Sequence, residues 1–174
     1  MQRECLRALA RRLDADTAER LEEIGQALHD GARELQFQCA ENLSGLQDVP
    51  SNALMDRIVA KIRVRIEYVT WLRSPNVGAW VERLRTIYIQ SALNRMDRLV
   101  AIAHEIAHAL RGRAPHDEIW YLTLVLLIPR STLAELPEGR VICAGSLIEV
   151  CTWTPPYWAA EARAWVLSQM CEAA

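Results

Sequence analysis

Apolar residues recur through the first forty positions at helical intervals. Leu6, Leu9, Leu13, Leu21, Ile24, Leu28 and Leu35 stand among charged neighbours, and residues 3–41 read as helical. Asp14 or Asp16 suits the N-cap of a second helix here, with Glu19, Glu22 and Glu23 near its positive end. The exposed faces are acid-rich, which argues against a DNA-reading helix pair and for an extension that packs on the domain or binds a partner. Residues 42–52, with Gly45 and Pro50, read as a loop.

The period then changes. Between Lys61 and Thr70, Ile62, Val64, Ile66 and Tyr68 alternate with Arg63, Arg65 and Glu67, the pattern of a half-buried strand. Gly78–Val81 reads as a short strand and Arg85–Gln90 as a third. Short connections predict a small antiparallel sheet. Helical spacing returns over 94–111 and stops at Gly112–Pro115. A helix over 117–128, apolar nearly all round, reads as buried, and Pro129 ends it. Residues 141–153 read as a helix or a strand, and Pro155–Pro156 opens a last helix reaching Cys171. The expected class is α+β: a helical N-terminal extension over 1–55, then a domain over 56–174 whose sheet packs on the helix at 94–111.

Composition narrows the function classes. At 174 residues and 51% hydrophobic, the chain is long and apolar enough for one folded domain. Twenty basic residues face 22 acidic ones, and Lys61 is the one lysine. No basic excess points to nucleic acid as a partner. The apolar run Ile119–Ile128 is about half a bilayer span, and the N-terminus lacks the apolar stretch of a signal peptide, so a cytoplasmic protein without membrane attachment is expected. Five widely spaced cysteines without C-x-x-C read as free thiols.

The chemistry concentrates in His104-Glu105-Ile106-Ala107-His108. Residues four apart on a helix lie nearly above one another, so two imidazoles can converge on one tetrahedral ion. Glu105 is displaced around the same side and is placed for a general base rather than a ligand. Leu99, Ile102, Ala103, Ile106, Ala107 and Leu110 form a separate apolar stripe, the expected core face. A catalytic zinc needs a third ligand, and the H-x-x-G-x-x-H continuation is absent. His116, Asp117 and Glu118 follow the Gly112–Pro115 break, and Glu118 is the preferred donor because His2Glu sets serve hydrolysis. Tyr88, Tyr121 and Tyr157 are available as oxyanion donors, and the strand Arg85–Gln90 as an edge for an extended substrate.

The strand RTIYIQ, the helix RLVAIAHEIAHAL and a carboxylate opening an apolar helix that closes on Leu127-Ile128-Pro129 resemble the ImmA/IrrE family of zinc metallopeptidases. Its members show a stretch like E-A-N/D-x-F-A-A-x-L-L-M-P. Glu118 and Pro129 stand at the family's Glu and Pro, with Ile119, Trp120, Leu122 and Thr123 departing from its pattern. The resemblance spans roughly residues 60–170. It implies a zincin-like fold, a Zn2+ ion held by His104, His108 and Glu118, and Glu105 as the catalytic base. It also implies cleavage of a specific regulatory protein, a helix-turn-helix repressor in phage, mobile-element or stress circuits. A metal-stapled binding or regulatory module without turnover is the competing reading.

Overall fold

The computed structural model describes residues 13–40, 52–73, 75–151 and 155–172. The six helices among them are α1 (Ala15–Ala40), α2 (Asn52–Lys61), α3 (Arg95–Arg111), α4 (His116–Leu127), α5 (Ala144–Val150) and α6 (Tyr157–Glu172). The strands are β1 (Arg65–Val69), β2 (Gly78–Val81) and β3 (Thr86–Gln90). The class is α+β. The expectations for residues 3–12 and for the loop at 42–51 lie outside the described residues. Internal contacts divide the chain into two compact units, residues 27–114 and residues 1–26 with 115–174.

The unit of residues 27–114 carries the sheet, in the order β1-β3-β2. β3 runs antiparallel to β2, with Gly78 opposite Ile89 and Val81 opposite Thr86. It runs parallel to β1, with Arg65 opposite Thr86 and Val69 opposite Gln90. The sheet is therefore mixed, which corrects the antiparallel expectation. The connections explain it. Only residues 82–85 separate β2 from β3, so these strands fold back as a hairpin. The longer link at 70–77 carries β2 to the far edge, and β3 returns between the two.

β1 begins at Arg65 rather than Lys61, because α2 runs through Lys61 and the chain turns at Ile62–Arg63. Periodicity assigns nothing to residues 53–60, since ten residues are too few to establish a 3.6 repeat. α2 buries Ile58 and Val59 and packs on α3 and β1.

α3 lies on β2 and β3. Asn94 caps it, accepting from the Asp97 N–H at 2.9 Å. Its end is closed by Gly112, at φ +58°, whose N–H donates to the His108 carbonyl. Leu99, Ile102, Ala103, Ile106 and Ala107 are buried as the stripe predicts, whereas Leu110 is only half-buried. Ala101 and Glu105, on the other face, are buried as well.

In the unit of residues 1–26 and 115–174, Asp14 caps α1, accepting from the Thr17 N–H at 2.8 Å. α4 is buried from Ile119 through Leu127 except at Trp120, and it packs on α6. The chain leaves α4 at Ile128, whose carbonyl accepts from Arg163 Nε at 2.8 Å. Arg163 is wholly buried, and its two terminal nitrogens clasp the buried Glu22 carboxylate. Tyr121 donates its hydroxyl to the same carboxylate at 2.9 Å. One bidentate ion pair thus ties α1 to α6 and supplies a helix C-terminus with a donor it would otherwise lack. Among the described residues, no helix is long and apolar enough to cross a membrane, and Cys143, Cys151 and Cys171 are free thiols.

Candidate metal centre

α3 sets His104 and His108 one turn apart. Their ring centroids stand 4.9 Å from each other with the planes at 86°, and both residues are half-buried. Small residues flank the pair: Ala101, Ala103 and Ala107 are buried and let the helix sit close on the sheet while the two imidazoles remain on its accessible side.

Glu105 points elsewhere. The residue is 6% exposed, and its carboxylate lies against the backbone of Gly78 on β2. A Cβ on residue 78 would stand 2.7 Å from Glu105 Oε1 and 2.9 Å from its Cγ. Glycine at 78 is what makes room for the acid. The Gln90 N–H donates to the Val77 carbonyl at 2.9 Å, which places pairs 77–90, 79–88 and 81–86 in the bonded positions of the ladder. The Gly78 and Trp80 peptide groups are thereby turned to the outer edge of β2. Glu105 accepts a hydrogen bond from the Trp80 N–H. Burial pushes its carboxyl up to about 7, and the Trp80 N–H offsets part of that rise. An acid so placed exchanges a proton near neutral pH, as a general base must.

His116, Asp117 and Glu118 open α4. Pro115 precedes them, and its carbonyl accepts from the Glu118 N–H at 3.0 Å. The His116 ring stands edge-on to Trp120 at 6.1 Å, and Trp120 edge-on to Trp158 at 6.4 Å. His116 is exposed, and Asp117 and Glu118 are half-buried.

His104 and His108 offer two imidazole donors one helical turn apart, the spacing at which both can meet one tetrahedral ion such as zinc. His116, Asp117 and Glu118 lie in the other unit, and each carries a side chain of a metal-ligating type.

Other expectations change. β3 is the central strand, paired on both sides, so it has no edge for a substrate; β1 and β2 are the outer strands. Tyr121 spends its hydroxyl on Glu22, and burial together with that carboxylate raises its ionisation above the usual phenol range. Tyr88 stacks on Trp71 at 5.5 Å, and Tyr157 is exposed. The sequence pattern did not mark Gly78 and Trp80, because their role follows from register and not from their own chemistry.

Comparisons of the chain with family models, with curated proteins and with solved structures found no match.

Proposed function

We propose that the protein is a zinc-dependent endopeptidase, with His104 and His108 holding the ion together with a third donor drawn from His116, Asp117 and Glu118, and Glu105 acting as general base. One observation carries this reading. A pair of imidazoles one helical turn apart shares α3 with Glu105, a carboxylate that burial has raised to about 7. Structural zinc sites have no use for a desolvated acid next to their ligands, whereas hydrolysis does. When bound, zinc acidifies water and polarises a carbonyl.

The chain's own residues have separable tasks. His104 and His108 supply two donors from a rigid helix. A third donor would come from the start of α4, where His116, Asp117 and Glu118 follow one another. Glu105, kept in place by the Trp80 N–H, takes a proton from the attacking water and returns it to the leaving amine. The outer edge of β2, beside Glu105, offers the Gly78 peptide group and the Trp80 carbonyl to an extended substrate. The substrate we favour is a specific regulatory protein of the repressor type, met in the cytoplasm.

Glu105→Gln tests the reading directly. The variant keeps its zinc, measured by elemental analysis, while hydrolysis of the natural substrate falls by about three orders of magnitude or more. Undiminished cleavage by Glu105→Gln overturns the assignment. A protein that binds stoichiometric zinc yet never cleaves a bound partner is the metal-stapled module instead.

A further inference from the structure

The charge on this chain is segregated. Residues 57–114 hold eleven of the 20 basic residues and four of the 22 acidic ones. The overall balance of −2 conceals a strongly basic segment that carries the sheet and α3 between two acidic flanks.

Four of these arginines meet at one end of the sheet. Arg63 and Arg65 lead into β1, and Arg83 and Arg85 lead into β3. The parallel pairing of β1 with β3 brings the starts of both strands side by side: the Arg65 N–H donates to the Arg85 carbonyl at 2.9 Å. Arg85 donates from Nε to the Arg63 carbonyl at 3.0 Å and from Nη2 to the Ile62 carbonyl, locking one strand start to the other. All four residues are exposed. Glu67 and Glu82 are the acidic residues nearby in sequence, so the end of the sheet remains positive. Arg63 and Arg85 also adopt left-handed backbone, at φ 55° and 47°, where an L side chain costs about 1 kcal/mol. The role of Arg85 is visible in its two carbonyl contacts. Among the described residues, the Arg63 side chain has no internal contact that would repay the strain.

This cluster stands where β2 ends. A peptide paired along the outer edge of β2 passes Gly78 and Trp80, beside Glu105, and then meets the 3-10 turn Glu82–Leu84 that carries Arg83. We infer that this arginine cluster is a docking subsite for an acidic stretch of the substrate, lying two to four residues to one side of the cleaved bond. The inference rests on the peptidase reading and adds the substrate's chemical class. A peptide suits the site better than single-stranded nucleic acid. The groups beside the cluster are backbone groups of a strand edge, which pair with a peptide backbone.

The test uses the full-length Glu105→Gln protein, loaded with zinc, and fluorescein-labelled peptides of one length carrying a Glu, Gln or Lys block beside a common neutral segment. An oligothymidylate of matching charge is the fourth probe. The Glu peptide is expected to bind about tenfold or more tightly than the Gln peptide, with the difference shrinking in high salt. Arg63→Glu with Arg83→Glu abolishes that preference, whereas Arg140→Gln leaves it intact. Arg63→Gly provides a control against misfolding: it relieves the left-handed strain and raises Tm, yet still weakens the Glu peptide. Equal binding of the Glu, Gln and Lys peptides overturns the inference, as does tighter binding of the oligothymidylate through the same arginines. Wild-type cleavage serves as the separate readout. Acid-selective binding without hydrolysis sinks the peptidase reading alone, and hydrolysis indifferent to acidity sinks the docking subsite alone.

Discussion

Glu105 and Gly78 share one small space: the carboxylate occupies the volume that a side chain at residue 78 would take, so the acid on α3 is positioned by the missing Cβ on β2. Two elements that join only through the tertiary fold therefore decide where the Glu105 carboxyl sits.

Gly78→Ala follows from this contact. The new methyl displaces the Glu105 carboxyl and breaks its bond with the Trp80 N–H. Hydrolysis should fall about a hundredfold, since small misplacements of a reacting group are that costly. Stability should drop by only about 1–2 kcal/mol, because the displaced group is the end of a flexible side chain. Steady-state rates and urea denaturation separate the two effects, and elemental analysis should show zinc unchanged.

The ligand set is checked by metal content. His104→Ala and His108→Ala should each lose stoichiometric zinc, and of His116→Ala, Asp117→Ala and Glu118→Ala the one that also loses it identifies the third donor. Zinc retained by both His104→Ala and His108→Ala would overturn the assignment.

Burial of the Glu22–Arg163 pair predicts an asymmetry between single and double substitutions. Glu22→Ala leaves a wholly buried guanidinium without its counter-ion and should cost about 3–5 kcal/mol. Replacing Glu22 and Arg163 together by Met should cost much less, because no charge is then stranded. Chemical denaturation of the two variants measures the difference.

Thiol reactivity should order by environment. Hydrogen bonds from Ser146 hold the exposed Cys143 thiol below its ordinary value, while burial pushes Cys151 up to about 11. The thiolate is the reacting form, so the group with the lower pKa becomes reactive at lower pH. Iodoacetamide at pH 7.5 followed by peptide mass spectrometry should find Cys143 alkylated well before Cys151. Ser146→Ala, which removes the side-chain part of that stabilisation, should slow Cys143.

Local pattern was sufficient wherever the determinant is near in sequence. The 3.6 period over 94–111, the Asn94 cap and the Gly112 stop define α3, and i, i+4 spacing alone brings His104 and His108 together. The strand Gly78–Val81 and the buried helix before Pro129 were legible for the same reason. What depends on distant partners was not. The mixed sheet follows from which strand slips between two others, and alternation of side chains is the same in parallel and antiparallel ladders. The burial of Glu105 and the clasp of Glu22 by Arg163 come from surfaces that meet across 27 and 141 positions of chain, where no periodicity reaches. Sequence thus determined the imidazole pair and its helix; tertiary structure decided which backbone shelters the acid, because desolvation is a property of what packs against a group and not of its neighbours in the chain.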